Sequence, residues 1–259
     1  MVNGLYTSAS GMVLQSRKLD ASANNLANVN TVGFKKDIIS VDNFRAKSTT
    51  REEDAWRRTL FNETINNTHN IAKIHVDHSQ GALHQTGNSL DVGINGNAFL
   101  VVDTPFGERY TRGGNLQIDS EGRLTTKEGY PLKAALEEDD AEGPAHIFLP
   151  EASDIIINAQ GEIFVDEEFI ATLSLVRFED ERDLRKVGFN QLARVSADVE
   201  AYPAEHFELH QGYLESSNVN IVREMTDMVE LNRSFSAYQK MISSIDETVS
   251  TLLQAGKSI

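Results

Sequence analysis

Hydrophobic residues near the N-terminus recur with helical spacing. An apolar side chain occupies every seventh position, at Leu5, Met12, Leu19 and Leu26. Small residues follow the first three of these by four positions, at Ala9, Ser16 and Ala23. Such a stripe predicts an amphipathic helix. A glycine breaker follows it, so we expect the helix to end between Asn28 and Gly33.

The C-terminal part of the chain carries a longer heptad pattern. One set of apolar residues is Met228, Phe235, Ile242 and Val249, and the interleaved set is Leu231, Tyr238, Ile245 and Leu252. Spacings of three and four residues over more than three heptads, without glycine or proline before Gly256, predict a coiled-coil seam. A single helix cannot bury such a seam, so it needs a partner. An ordinary core-facing helix is the alternative, and the matching stripe at the other terminus favours a helix pair.

Between the helices the hydrophobic period changes to two. Leu90, Val92 and Ile94 alternate and lead to Asn95-Gly96, which predicts a tight hairpin before a strand at 99–102. Turns at TPFG (104–107), DSEG (119–122) and NAQG (158–161) separate further apolar runs, and ATLSLVRF (171–178) is predicted as one strand. Short strands with regular glycine turns indicate an antiparallel all-β region from about residue 91 to residue 201.

These patterns predict an α+β fold with four parts. The terminal helices pair as a coiled-coil-like domain, and the region between them forms a central antiparallel all-β domain. We place the N-terminal helix at 1–35, a variable connecting segment at 36–85, the β domain at 86–205 and the C-terminal heptad helix at 206–259. Ser216, Ser217, Asn218 and Asn220 precede that helix, where small polar residues cap free N–H groups.

Composition narrows the possible functions. A net charge of −15 disfavours nucleic acid and anionic lipid as partners, since both require clustered lysine and arginine. The acidity is concentrated between residues 136 and 210, as expected of a solvated surface. Cysteine is absent, and no apolar run is long enough for membrane insertion. The first residues also lack a basic and an apolar signal region, so we expect no cleaved secretory signal.

Motifs for catalysis or cofactor binding are absent from the sequence. It contains no nucleophile elbow, zinc-protease motif, phosphate loop or dinucleotide fingerprint, so we predict no enzyme activity and no cofactor. His75, Asp77, His78 and His84 could in principle form a transition-metal site. We interpret them as structural, because no other ligand signature accompanies them. The acidic pairs at 137–138 and 139–140 indicate a solvated loop and not an acid/base pair.

Four segments of the chain resemble one protein family. ANNLANVNTVGFK at 23–35 includes Asn24, Asn25, Leu26, Ala27, Asn28, Gly33 and Phe34. It is similar to the NNLANVNTxGFK signature of bacterial flagellar rod and hook proteins. SLDVGINGNAFLVV (89–102), YTRGGNLQIDSEGRLTTKEGYPL (110–132) and QGYLESSNVNIVREMTDMVELNRSFSAYQKM (211–241) follow in the family's order.

The resemblance implies a structural protein that polymerises. The terminal helices would form the inner tube of the flagellar axial filament, and the β region its outer layer. Implied partners are copies of the chain, other rod proteins, hook or ring proteins, and the flagellar type III export apparatus. The implied location is the periplasmic rod of the basal body. Within the rod, the resemblance suits a proximal F-type or a distal G-type subunit, and the segment at 37–81 favours the proximal one.

Two other classes of protein compete with this interpretation. A β-rich adhesion module would share the glycine hairpins but would give no reason for paired terminal heptads. A hydrolase would need a pocket with convergent polar groups, and the sequence supplies no such set. We therefore assign the twelve apolar heptad residues of the two helices to an assembly interface.

Overall fold

The computed structural model describes residues 2–42, 70–135, 146–150, 154–196 and 198–257. In chain order, the strands lie between two long helices, α1 (Val2–Ala27) and α2 (Ile221–Lys257). The strands are β1 (Lys36–Asp42), β2 (Asn70–Asp77), β3 (Leu83–Gln85), β4 (Val92–Gly96), β5 (Phe99–Thr104), β6 (Gly107–Thr111), β7 (Leu116–Ile118), β8 (Leu124–Thr126), β9 (Ile155–Ile157), β10 (Glu162–Val165), β11 (Glu168–Thr172), β12 (Leu175–Arg177), β13 (Leu184–Gly188), β14 (Gln191–Arg194), β15 (Tyr202–Pro203), β16 (Phe207–Gln211) and β17 (Tyr213–Glu215).

The α+β class is confirmed: a long helix precedes the antiparallel strands in the chain, and a second one follows them. The chain divides into two compact units. Of the described residues, the helical unit contains 2–27, 37–42, 70–75 and 220–257, and the β unit contains 28–36 and 76–219 without its undescribed residues. Our four domain boundaries stay a prediction. Most of the variable segment, at 43–69, and the acidic pairs at 137–140 lie outside the described residues.

The helical unit is built on an antiparallel contact between α1 and α2. Ser8 on α1 contacts Met241, and Ser22 contacts Glu224, so the paired positions rise along one helix and fall along the other. α1 ends at Ala27, just before the region where the sequence predicts its end. At the start of α2, the Asn220 side chain accepts a hydrogen bond from the Arg223 N–H at 3.0 Å, as predicted for a cap. Among the described residues, neither helix is apolar enough over its length to cross a bilayer.

The described residues of the β unit form two hydrophobic clusters. Its largest sheet has six strands in the order β13-β14-β6-β5-β12-β15. One side of β5 contributes Leu100 and Val102 to the larger cluster, while Phe99 and Val101 belong to the smaller one. Because successive side chains of a strand point to opposite faces, β5 serves both clusters and is buried almost throughout.

Three of the predicted hairpins are confirmed. TPFG joins β5 to β6, DSEG joins β7 to β8, and NAQG joins β9 to β10, each pair antiparallel. Asp119 shows why such a turn forms, because its carboxylate accepts hydrogen bonds from the N–H groups of Glu121 and Arg123 at 2.8 and 2.9 Å.

The hairpin predicted at Asn95-Gly96 is wrong. β4 pairs with β16, more than 100 residues later, and not with β5. Gly96 has φ +104°, but a Cβ there would lie 2.6 Å from the His206 carbonyl oxygen. The glycine therefore also allows a close approach of two distant backbones.

The single strand predicted for ATLSLVRF is also wrong. Thr172 ends β11 in the three-stranded sheet β11-β10-β9, and Leu175 begins β12 in the six-stranded sheet. Between them Leu173 donates its N–H to Gly161 and Ser174 donates to Lys133, so the chain changes hydrogen-bond partners at these two residues. Both leucines of the run are buried, which explains its strand-like hydrophobicity.

Candidate functional site

The twelve predicted interface residues all lie on α1 and α2, and none is fully buried. Leu5, Val249 and Leu252 are 38%, 37% and 52% exposed. The other nine are half-buried: Met12, Leu19, Leu26, Met228, Leu231, Phe235, Tyr238, Ile242 and Ile245. Their role in assembly stays a prediction, and their partial exposure leaves apolar surface for a further partner.

The most buried stripe of α1 combines one leucine with small and polar residues. It consists of Ser8, Gly11, Leu14, Ser22 and Asn25. A Cβ at Gly11 would lie 2.7 Å from the Tyr238 ring, so the missing side chain makes room for that ring. The Ser22 hydroxyl donates to the Glu224 carboxylate at 2.7 Å. The intramolecular contact of α1 therefore runs one position away from its predicted leucine and methionine stripe.

An additional apolar stripe on α2 was not identified from the sequence. Val222, Met225 and Val229 are 75%, 52% and 54% exposed, and their spacings of three and four place them along one face. The same spacing is visible in the sequence, so the signal was available. Leu253, 64% exposed, lies near the other end of the helix. Exposed apolar side chains in this arrangement are typical of a surface that another helix covers.

The residues of the 23–35 motif divide between the two units. In the helical unit, the buried Asn25 side chain donates to the Asp37 carbonyl at 3.0 Å and accepts from the Asp37 N–H at 2.8 Å. Asn24 and Ala27 are exposed, and Leu26 is half-buried. In the β unit, the Asn28 side chain accepts from the Thr31 hydroxyl at 3.2 Å. The first half of this motif therefore ends α1, and the second half begins the β unit.

A buried ionic cluster lies where the second half of this motif meets two others. Glu215, with a fully buried side chain, accepts from Lys35 at 2.7 Å on one carboxylate oxygen and from Arg112 at 2.8 Å on the other. The Gly81 N–H adds a third donor at 2.8 Å. Lys35 and Arg112 are themselves 3% exposed. The cluster therefore connects three of the four family-like segments, those at 23–35, 110–132 and 211–241.

Further hydrogen bonds of the two cations go to backbone carbonyls of the protein. Lys35 also donates to the Ser79 carbonyl at 2.8 Å, and Arg112 donates to the Gly96 carbonyl at 2.9 Å. The Arg112 guanidinium lies 5.6 Å from the centre of the Phe99 ring, a cation–π distance. The Glu215 carboxylate has no exposed surface and is bonded to donors of the protein, so no substrate can reach it. The cluster is therefore a structural element and not a reactive one.

Gly33 allows the backbone of the motif to approach this cluster. Its φ is +66°, and a Cβ would lie 2.6 Å from the Arg112 carbonyl carbon. Its N–H donates to the Glu215 carbonyl at 2.7 Å. Both a left-handed conformation and close contact are required, so only glycine fits here.

Phe34 and Asn218 fix the flanking backbone. The Phe34 ring is buried, and the Lys186 ammonium lies 3.8 Å from its centre. The Asn218 side chain accepts from the Lys36 N–H at 2.8 Å and donates to the Asp77 carbonyl at 2.8 Å. Asn218 thus does not cap α2, as its place in the sequence suggested. It instead links the segment that follows α1 to the segment that follows β2.

Burial shifts the titration of groups around the cluster. Burial, together with the neighbouring Arg112 cation, lowers the pKa of Lys35, while Glu215 opposes that shift. Burial and then Lys35 lower the pKa of His78 to about 4. His78 packs edge-on against Phe99, with 5.9 Å between ring centres, and its ring nitrogens lack a hydrogen-bond partner among the described residues. Burial, reinforced by the nearby cations Lys35 and Arg112, therefore keeps this imidazole neutral.

The four residues considered as a metal site have separate roles. Asp77 accepts from the Ser79 N–H at 3.0 Å, and His84 lies in β3 opposite Leu214. His78 belongs to the surroundings of the ionic cluster, and His75 lies in β2. Within the part of the chain that the structure describes, no three histidine, aspartate or glutamate residues are placed to hold a metal ion.

Three segments of the chain match known protein families. Residues 5–35 match "Flagella basal body rod protein", residues 93–165 match "Flagellar hook protein FlgE/F/G D1 domain", and residues 210–255 match "Flagellar basal body rod FlgEFG protein C-terminal". The first and last include most of α1 and most of α2. The middle one extends from β4 to β10.

Curated relatives match over nearly the whole chain. The flagellar basal-body rod protein FlgF of Caulobacter vibrioides is 32% identical over 247 residues, which is 95% of each chain. The rod protein FlgG of Bacillus subtilis is 31% identical over 267 residues and 98% of each chain. FlgG of Borreliella burgdorferi is 31% identical over 95% of this chain and 96% of its own.

Removing the charge of Glu215 should destabilise the β unit strongly. In Glu215→Gln, Lys35 and Arg112 stay buried without a counter-ion, which costs about 3–5 kcal/mol. We expect the free energy of unfolding, measured by urea denaturation with circular dichroism, to fall by that amount. Glu108→Gln is the control, because the Glu108–Lys133 pair at 2.7 Å is partly exposed and its loss should cost less than about 1 kcal/mol. Equal losses would contradict the assigned role of Glu215.

Substitution of Gly33 should cost more than that of another left-handed glycine. Gly129 has φ +86°, and a Cβ added there would have no atom within 4 Å, so Gly129→Ala carries only a conformational cost of about 1–2 kcal/mol. Gly33→Ala adds the clash with Arg112, worth about 1–3 kcal/mol more. Thermal unfolding of the two variants should show this difference. Identical melting temperatures would mean that the backbone at 33 relaxes freely.

Acid should destabilise the β unit through His78. Above about pH 6.5 the imidazole is neutral in the folded and unfolded chain and has no effect. Between about pH 6.5 and about pH 4 only the unfolded chain binds the proton, so His78 lowers the free energy of unfolding by at most about 1.4 kcal/mol per pH unit. In His78→Phe this contribution should be absent. Urea denaturation across that range would test it, and identical slopes in both proteins would contradict it.

Proposed function

Since the chain belongs to the family of flagellar basal-body rod proteins, we propose that it is a structural subunit of the bacterial flagellar axial rod that polymerises through its terminal helices. The observation that carries the proposal is the α1–α2 pair, which leaves apolar side chains exposed along α2 at Val222, Met225, Val229, Leu252 and Leu253. Helices from neighbouring subunits would cover these residues. The function is mechanical: the subunit forms part of a hollow shaft that transmits torque to the hook.

The chemistry of the helix surface fits polymerisation. Contacts of one face with a different face of the next copy produce an open helical polymer. α2 offers two such faces, the heptad seam and the exposed stripe of Val222, Met225 and Val229. An adhesion module would not need paired helices at both chain ends. The buried ionic cluster also supports a structural function, because its charges are satisfied within the protein.

Partners and location follow from the family as proposals. We propose that the subunit contacts copies of itself and other rod proteins, with hook or ring proteins as further neighbours. We further propose that the flagellar type III apparatus exports it without a cleaved signal and that it assembles in the periplasmic part of the basal body. The proximal position stays a prediction, and relatives named FlgF and FlgG match at similar identity.

A charge on the exposed part of the seam should separate assembly from folding. Leu252 is 52% exposed, so Leu252→Asp should leave the melting temperature of the purified chain nearly unchanged. In a polymer the same aspartate would be buried without a partner, at a cost of about 1–3 kcal/mol for every subunit contact. We expect cells carrying it to export the protein but to lack complete rods and swimming.

The matched control is Ser250→Asp, which adds the same charge at an exposed polar position two residues away. Basal-body imaging and swimming assays should show normal rods for this variant. Complete rods in Leu252→Asp cells at normal export levels would overturn the proposal that this helix face holds the polymer.

A further inference from the structure

The three-stranded sheet of the β unit has an apolar outer face. Its inner face is buried in the larger cluster, through Ile155, Ile157, Ile163 and Val165. On the other face, Phe164 of β10 lies opposite Ile156 of β9 and Phe169 of β11. The two phenylalanine rings meet edge to face, with 5.9 Å between their centres. These three residues form a continuous apolar row across the sheet, which we call the aromatic row.

The aromatic row is accessible. Ile156 is 44% exposed and Phe169 is 54% exposed, while Phe164 between them is half-buried. Antiparallel sheets of this kind usually present polar residues on the face opposite the core. A contiguous apolar row in that place indicates a surface that binds a partner.

Acidic residues border the aromatic row. Strand alternation places Glu162 on the same side as Phe164, and Asp154 and Asp166 adjoin the ends of β9 and β10. Glu167 and Glu168 follow in the turn and at the start of β11. Residues 154–172 contain no lysine or arginine. A partner that covers this face must therefore supply cations as well as apolar groups. The same face of a second copy is excluded, because its carboxylates would repel these.

One stretch of the sequence has the complementary chemistry. Residues 55–61, AWRRTLF, combine adjacent arginines with a tryptophan, a leucine and a phenylalanine, and they contain no acidic residue. Arginine suits such a site, since its planar guanidinium stacks on aromatic rings and forms paired hydrogen bonds with carboxylates. This stretch lies outside the described residues. Its residue types, cationic and apolar, complement the acidic and apolar residues of the aromatic row and its border.

We propose that the aromatic row and its acidic border are the docking site for residues 55–61 of a second copy of this chain. The inference rests on the proposed function only in that polymerisation brings a second copy close. It adds a contact through the β unit to the contacts of the helices. Because the two surfaces differ, the contact is head-to-tail and can repeat from one subunit to the next.

The test uses the only tryptophan of the chain, Trp56, as a probe. The receptor is the full chain carrying Trp56→Phe, Arg57→Glu and Arg58→Glu. The first substitution removes the tryptophan fluorescence of the receptor, and the other two prevent its own residues 55–61 from competing with the peptide. The ligand is a capped synthetic peptide of residues 55–61. Tryptophan anisotropy should rise to saturation as receptor is added, with a blue shift of the emission. The affinity should fall as salt is raised.

Variants of the receptor locate the site. Phe169→Ser, or Glu162→Lys with Asp166→Lys, should weaken binding by at least about tenfold. Phe106→Ser is the matched control, since Phe106 is 81% exposed in the β5–β6 turn, outside the row, and this variant should bind normally. A peptide with both arginines replaced by glutamate should not bind.

The possible outcomes separate this inference from the proposed function. Absence of binding, or equal weakening by Phe106→Ser and Phe169→Ser, would overturn the docking site and leave rod polymerisation through the helices standing. The receptor with Leu252→Asp should still bind the peptide. If it binds while cells carrying Leu252→Asp build complete rods, the docking site stands and the helix proposal fails.

Discussion

The β unit depends on one fully buried carboxylate, that of Glu215, and on the two cations that pair with it. The Glu215 carboxylate receives hydrogen bonds from Lys35, Arg112 and the Gly81 N–H, and the two cations balance its charge. This pairing fixes the position of the segment that follows α1 in the chain relative to the segment that precedes α2. The left-handed Gly33, the buried Phe34 and the bridging Asn218 are consequences of the same constraint, because each brings backbone close enough for the charges to meet.

The helical unit depends instead on small side chains in its contact. Gly11 and Ser8 are buried in the α1 contact, where the Tyr238 ring lies over Gly11 and the Met241 sulfur contacts the Ser8 hydroxyl. The leucine and methionine stripe of α1 is consequently displaced to the edge of the contact. A helix pair that satisfied its whole apolar surface internally would have nothing left for other subunits.

Local patterns in the sequence were sufficient for the helices and for the hairpins with short turns. Heptad spacing predicted both helices, and glycine turns predicted β5–β6, β7–β8 and β9–β10, because these structures are decided by residues close in the chain. The partner of β4 could not be predicted in this way, since β16 lies more than 100 residues away. The ionic cluster was hidden for the same reason: its lysine and its glutamate are separated by 180 positions. The motifs that contain Lys35 and Glu215 were recognised, but nothing in the sequence indicated that these two side chains form an ion pair.

The fit of Tyr238 over Gly11 has a mechanical meaning. If one helix slid along the other by a turn, the ring would leave the gap above the glycine and press against a neighbouring side chain. The shape of this contact therefore resists shear along the helix axis, in addition to the Ser22–Glu224 hydrogen bond that joins the same two helices. A shaft under repeated torsion needs stiffness of this kind, because helices that cannot slide past each other return to the same register after each load.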